Sequence, residues 1–207
     1  MNAKSAIQFA EAKQERSLKT MADILQAAEQ LTAGADPELF TSRSLAQRSG
    51  YALGTLVRRL GSIENVFLWA IKKGRDKKLQ EFSIRVTQFE INTSIHAFAE
   101  NVVDAAFSDI QQINPAVMRF FENRFTKINS LPHDYFDYMD LLVESYLIAA
   151  SKNRTDTFRA LTTNEASILI RQICLAIERP FMEGNPIAGT QEHRKIAIDM
   201  MVRLLGK

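Results

Sequence analysis

The chain has 207 residues, of which 46% are hydrophobic and 24% are charged, and its formal net charge is +2. This is enough to bury a sizeable core in one or two compact units, and the single cysteine, Cys174, rules out an internal disulfide framework. Because no N-terminal stretch resembles a signal peptide and no run approaches the roughly 18 apolar residues of a membrane span, we expect a cytoplasmic protein with no membrane partner.

The charge is distributed unevenly along the chain. Residues 1–85 contain 14 Lys and Arg against 9 Asp and Glu, a net charge of +5, whereas the remainder contains 12 against 15, a net charge of −3. A basic N-terminal part can simply be a solvated surface. A polyanionic partner is the other interpretation, and it is favoured by the motif that this part contains.

The first predicted helix covers residues 16–33, where apolar side chains recur at spacings of three and four. Gly34 is its predicted end, and Asp36 with Pro37 predicts a loop. The helix therefore has one apolar face that needs a partner.

Residues 41–60 predict two short helices joined at Gly50, with Thr41 or Ser42 as the cap of the first and Gly61 as the end of the second. A glycine suits a turn that needs a positive φ. Such a pair of helices, bearing adjacent arginines, suits a DNA-reading device, although an ordinary helical hairpin gives the same pattern.

A basic fourth helix is predicted from Ser62 towards Arg85, and no convincing strand pattern follows it. The sequence therefore predicts an all-α protein. The later helices are predicted at residues 92–110, 115–128, 133–152, 163–179 and 190–205, with breaks at residues 114–115, 131–132, 153–157 and 180–190.

The last two helices are apolar over more than one stripe. Thr162 and Glu165 have capping-box spacing at the start of the first of them, and Pro180 predicts its end. Both helices can be interior, but a symmetric dimer interface makes better use of so much apolar surface. The predicted interface residues are Ile170, Ile173, Cys174, Ile177, Ala197, Met200, Met201 and Leu204.

The chain resembles the TetR family of bacterial transcriptional regulators over roughly residues 16–70. The resemblance rests on ILQAA at 24–28, LAQRSG at 45–50, and GTL at 54–56 followed by GS at 61–62. It implies an all-α homodimer, with a helix-turn-helix DNA-binding domain at 1–70 joined by a long helix to a helical ligand-binding and dimerisation domain at 71–207. It also implies a ligand-responsive regulator, expected to be a repressor, that binds a pseudo-palindromic operator in double-stranded DNA.

By position, the resemblance places the third helix in the major groove, and the second helix and the start of the fourth on phosphates. Leu53 and Thr55 are then candidates for base-edge contacts, and Arg58 for guanine or phosphate. The predicted DNA-binding residues are Thr41, Ser42, Arg43, Tyr51, Ala52, Leu53, Thr55, Val57, Arg58 and Arg59.

Three positions depart from the family pattern and remove groups that hold phosphates. Ala52 stands where the family commonly has serine, Val57 where it has tyrosine, and Ile63 where it has lysine. The Tyr51 hydroxyl is a candidate replacement for the one missing at Val57. The departures motivate an alternative, in which the chain is a small-molecule-binding or protein-interaction module of the same fold that has lost operator binding.

Eight of the thirteen phenylalanines lie between residues 82 and 136. In the family this region surrounds the effector cavity, so the resemblance implies a small apolar or aromatic ligand. A well-filled core is the alternative explanation for each of these side chains. The predicted ligand-binding residues are Phe107, Met118, Phe121, Phe125, Tyr135 and Met139.

Signals of catalysis are missing from the sequence. It has no Gly-rich phosphate loop, no metallohydrolase helix and no nucleophile elbow, and its three histidines lack the spacing of a metal site. We therefore expect a protein that is not an enzyme and that has no metal and no cofactor.

Overall fold

The computed structural model describes residues 15–33, 36–60, 62–128 and 133–207, and side chains within them except at 15–16, 125–128 and 133–138. The predicted helix ends at Gly34 and Gly61 and the predicted break at 131–132 lie outside these residues, as do the side chains of Phe125 and Tyr135. The chain divides into a first unit, residues 1–75 with 116–135, and a second unit, residues 76–115 with 136–207.

Nine α-helices make up most of the described part of the chain, which contains no strand beyond an isolated bridge between Phe158 and Gly206. The predicted all-α class is confirmed. None of the described helices is long and apolar enough to cross a membrane. The helices are α1 (Glu15–Ala33), α2 (Ser42–Ser49), α3 (Leu53–Leu60), α4 (Ile63–Thr87), α5 (Ile95–Gln111), α6 (Pro115–Ile128), α7 (His133–Lys152), α8 (Thr163–Glu183) and α9 (Gln191–Leu205).

The first three helices and the start of α4 enclose one apolar core. Ile24 of α1, Leu45 of α2 and Leu56 of α3 are fully buried in it, together with Phe67 of α4. Helices as short as α2 and α3 are not stable alone in water, because nucleation costs more than a few backbone hydrogen bonds return. Burial of their apolar faces, at about 1.5–3 kcal/mol for each large side chain, stabilises them.

Both ends of α2 are defined by local chemistry. The Thr41 hydroxyl accepts a hydrogen bond from the Ser44 amide at 3.2 Å, so Thr41 is the cap and Ser42 is the first helical residue. Gly50 has φ = 74°, and its amide donates to the Ala46 carbonyl at 3.0 Å. The predicted glycine turn is confirmed, because a left-handed residue at this position favours glycine.

Helix α6 packs in the first unit, against the first half of α4. Val117 and Phe121 are buried with Leu68 and Ile71. The ring of Phe120 approaches Phe40 edge-on, with centroids 5.3 Å apart. Periodicity marks the apolar face of α6 but does not show which helices cover it.

The second unit is built around α5, α8 and α9. Phe98 lies at its centre, with ring centroids 4.9 Å from Phe89 and 5.3 Å from Phe158 in edge-to-face geometry. On the surface, Arg194 of α9 donates two hydrogen bonds to the carboxylate of Asp104 in α5, at 2.6 and 2.9 Å. This contact lowers the pKa of Asp104 and raises the pKa of Arg194.

Helix α8 starts as predicted but does not end at Pro180. Its start is a confirmed capping box, in which the Thr162 hydroxyl accepts from the Glu165 amide and the Glu165 carboxylate accepts from the Thr162 amide, which lowers the pKa of Glu165. The helix continues through Pro180 to Glu183 and is capped by Gly184, with φ = 70°.

Pro180 is accommodated by a contact from another helix. A proline inside a helix has no N–H for the carbonyl four residues earlier, here that of Ala176. That carbonyl lies 2.9 Å from Nε2 of His193 in α9, which supplies the missing donor. The prediction of a helix end was therefore wrong, because the compensating group comes from a residue that is distant in sequence.

Candidate nucleic-acid interface

Helix α3 divides sharply into an inner and an outer face. Leu56 and Leu60, four residues apart, are 0% and 4% exposed and belong to the core, whereas Leu53 and Val57 are 49% and 54% exposed. The spacing of four returns to the same face of a helix that has about 3.6 residues per turn. The outer face therefore presents Leu53 and Val57 together, and it is continued by the exposed Arg58.

Gly54 lies on the same outer face, and nothing in the described structure requires a glycine there. A Cβ built at this position meets no atom within 4 Å, and its φ is not in the left-handed region. Glycine within a helix costs up to about 1 kcal/mol relative to alanine. The fold therefore gains nothing from the missing side chain at Gly54.

The two adjacent arginines of α3 point in different directions. Arg58 is exposed, whereas Arg59 is half-buried and its guanidinium donates a hydrogen bond to the hydroxyl of Ser17 in α1. Successive residues of a helix lie about 100° apart around its axis, which separates the pair. Of the two predicted contacts, Arg58 is the one available to a partner.

Tyr51 and Thr55, also predicted to bind DNA, are half-buried. The Tyr51 hydroxyl donates a hydrogen bond to the carboxylate of Asp23 in α1 at 2.7 Å. A phosphate oxygen needs a donor, and the single O–H of this tyrosine is already used. Tyr51 therefore ties the turn before α3 to α1 in the described structure.

The start of α2 contributes the remaining predicted residues. Thr41 and Arg43 are exposed, Ser42 is half-buried, and Thr41 is occupied as the cap. Arg48, which is not among the predicted residues, is also exposed, near the end of the same helix. The charge pattern of the surrounding sequence could have identified it.

The whole helix-turn-helix segment lacks acidic residues. Between Glu38 and Glu64 the chain contains no Asp or Glu. A stretch that contributes several guanidinium groups and no carboxylate favours contact with a polyanion. The arginines within this stretch are Arg43, Arg48, Arg58 and Arg59.

The predicted ligand-binding residues fall in both units. Phe107 is buried in the second unit, with its ring centroid 4.6 Å from that of His193, and Met139 is buried there as well. Met118 is half-buried and Phe121 is fully buried, both in the first unit. A ligand site in this part of the chain stays a prediction. Within the described ranges, no three His, Cys, Asp or Glu side chains group so that they could hold a metal ion.

Most of the predicted dimer residues face the interior of the second unit. Cys174, Met200 and Leu204 are partly buried against its core, and burial raises the pKa of the Cys174 thiol. Residues buried in their own chain have little surface left for a partner. Those that are fully buried are Ile170, Ile173, Ile177, Ala197 and Met201.

Other apolar residues of α8 and α9 are exposed. Ile168 and Leu175 lie on one face of α8, two helical turns apart, and Ile168 is 63% exposed. Ile196 of α9 is 49% exposed. Sequence patterns could not separate these residues from their buried neighbours, because both helices are apolar on several sides.

The fold defined by these helices has known counterparts. No protein-family model and no curated protein matches the chain. A TetR transcriptional regulator from Rhodococcus sp. RHA1 aligns over 93% of this chain and 97% of its own, with a TM-score of 0.57 and 17% identity. A protein assigned to the tetR family of transcription regulators, from Shewanella sp. PV-4, aligns over 91% and 98%, with a TM-score of 0.50 and 14% identity.

The described part of this chain is all-helical, and α2 and α3 form a helix-turn-helix within its N-terminal unit. The particular fold is that of the TetR family of transcriptional regulators, which confirms at the level of fold the resemblance seen in residues 16–70.

Proposed function

We propose that the protein is a TetR-type transcriptional regulator that binds DNA by inserting α3 into the major groove. The outer face of α3 carries this proposal, because Leu53, Val57 and Arg58 lie outward while Leu56 and Leu60 hold the helix on the core. The groove admits one α-helix, and the protruding side chains then reach base edges. The structural neighbours described above, which are named as regulators of this kind, support the same function.

Phosphate contacts in this proposal come from α2. The exposed Arg43 and the backbone N–H groups of the first turn of α2 face one DNA strand, where phosphates orient the protein without reading sequence. The segment without acidic residues between Glu38 and Glu64 imposes no repulsion on this approach.

The proposal includes a homodimer formed through α8 and α9. Ile168, Leu175 and Ile196 are apolar and exposed on these helices, and a second copy of the chain removes them from water. A two-fold dimer presents two α3 helices to half-sites about one helical turn apart, and this geometry favours a pseudo-palindromic operator.

Control by a small apolar or aromatic ligand completes the proposal, with repression as the mode of action. Helix α4 contributes residues to both units, so it connects the DNA-binding helices to the second unit through continuous helix. The ligand must bind one dimer geometry more tightly than the other, since equal affinity shifts nothing. A compound that raises Tm and releases operator DNA identifies this effector.

The proposal is tested by selecting bound sequences from random double-stranded DNA with the full chain. We expect enrichment of a pseudo-palindrome. Arg58→Ala is expected to lose the sequence preference without unfolding, because Arg58 is exposed and outside the core. Arg154→Ala, at an exposed arginine of the second unit, is the matched control and is expected to select the same sequence.

Two outcomes contradict the proposal at different points. A folded dimer that enriches no sequence contradicts operator binding and favours the small-molecule-binding or interaction module. Enrichment that Arg58→Ala leaves unchanged contradicts α3 as the reading helix.

A further inference from the structure

The outer face of α3 is more apolar than a surface that binds only phosphates needs to be. Leu53 and Val57 are each about half exposed, and Ala52 just before the helix is exposed as well. An exposed aliphatic side chain gains free energy only when a partner covers it with apolar atoms. In the major groove the apolar group on a base edge is the C5-methyl of thymine.

Gly54 gives this face a second unexplained feature. The space beside its Cα is open, so the fold does not require the glycine, yet the helix tolerates its cost. Glycine is the residue that allows a backbone to approach a ligand closely. Around the axis of α3, Gly54 lies between Val57 and Arg58 on the outer face, and the space beside its Cα is open to a partner.

We propose, building on the function above, that Leu53 and Val57 read thymine methyl groups and that Gly54 allows the close approach this contact needs. The two side chains are separated by four residues, or about 6 Å along the helix. Base pairs are stacked about 3.4 Å apart, so the two thymines lie within roughly two base steps of each other in each half-site. Arg58 supplies the charged contact on the same face.

The experiment compares thymine with deoxyuridine, which lacks only the methyl group, at each position of the selected half-site. The wild-type full chain is expected to bind about fourfold more weakly at each of two nearby positions, the effect of exposing one CH₂-sized group. Leu53→Ala is expected to abolish the methyl dependence at one position and Val57→Ala at the other. The control is Ile84→Ala, which alters an equally exposed side chain of the second unit and is expected to keep the methyl dependence at both positions.

Gly54→Ala provides an independent readout. Because a Cβ meets nothing there, we expect the variant to keep its Tm or to gain up to about 4 °C, while its affinity for the operator falls severalfold. A destabilised variant, or one with unchanged affinity, contradicts the role given to the glycine.

Different results test thymine reading and operator binding. Wild-type binding that no deoxyuridine substitution weakens, or methyl dependence that survives in both aliphatic variants, overturns thymine reading while operator binding stands. A protein that selects no sequence at all overturns both.

Discussion

Tyr51 connects α3 to α1 through a single side-chain hydrogen bond. Its hydroxyl donates to Asp23 across the turn that precedes α3, so the position of α3 depends on a contact with α1. We expect Tyr51→Phe to lower the free energy of unfolding by about 1 kcal/mol, the net contribution of one hydrogen bond. Urea denaturation measures this change.

The same variant distinguishes a structural role of the Tyr51 hydroxyl from a contact with DNA. If the hydroxyl is used within the fold, folded Tyr51→Phe binds operator DNA with unchanged affinity. An affinity that falls severalfold while the protein stays folded indicates a lost phosphate contact and contradicts this assignment.

His193 is buried among aromatic rings with both ring nitrogens occupied. The Ala176 carbonyl can only accept, so Nε2 carries the proton, and Nδ1 accepts from the Gly189 amide at 3.2 Å. His193→Phe keeps a ring but leaves both backbone groups without this partner. We expect it to lower the free energy of unfolding by about 2–4 kcal/mol in urea denaturation.

The Ala176 carbonyl needs the histidine because Pro180 has no N–H to donate to it. Pro180→Ala restores a helical N–H to the Ala176 carbonyl, so its effect on the free energy of unfolding should be about 1–2 kcal/mol more favourable in the His193→Phe background than in the wild type. The double-mutant cycle measures the coupling between the two sites. Strictly additive effects contradict a shared carbonyl.

Tyr146 gives the second unit a distinct response to alkaline pH. Burial raises its pKa from an ordinary value near 10 to about 12, while the charge of Arg159 acts in the opposite direction. The fold favours the neutral phenol, so its contribution to stability is complete below pH 10 and is lost as the pH rises from about 10 to about 12. Tyr146→Phe should lose free energy of unfolding less steeply over this interval than the wild type. Parallel curves contradict the assignment.

At the scale of elements, α8 and α9 each have apolar residues on a buried side and on an exposed side. One side of each helix fills the core of the second unit, and the other exposes Ile168, Leu175 and Ile196. Leu175→Glu is expected to convert a dimer into a monomer, since a carboxylate in an apolar interface loses its hydration without gaining a partner. Sedimentation analysis measures the change.

Ile84→Glu, at a similarly exposed position of α4, is the control and is expected to stay dimeric. A Leu175→Glu variant that remains dimeric at micromolar concentration places the interface elsewhere on the chain.

For the whole molecule, the proposed two-fold dimer makes every proposed DNA contact twice. The logarithm of affinity falls with the logarithm of salt concentration by about 0.9 for each phosphate neutralised. Arg43→Ala should therefore lower the slope by about 1.8 in a two-fold dimer and by about 0.9 in a monomer. Fluorescence anisotropy at several salt concentrations distinguishes the two cases, and an unchanged slope removes Arg43 from the phosphate contacts.

The elements of this protein could be predicted from sequence where their causes are local. The glycine turn at Gly50, the Thr41 cap and the Thr162–Glu165 capping box each follow from residues within one or two helical turns. The helix-turn-helix and the all-α class follow from such signals together with apolar periodicity.

The features that could not be predicted depend on contacts between residues that are distant in sequence. Residue order alone does not show that Arg59 turns towards Ser17, that α6 covers the first half of α4, or that His193 allows α8 to pass through Pro180. It also does not show which apolar residues of α8 and α9 remain exposed. Periodicity specifies the face that a helix must bury, whereas the choice of covering partner depends on how the helices pack, and that choice determines which side chains remain exposed.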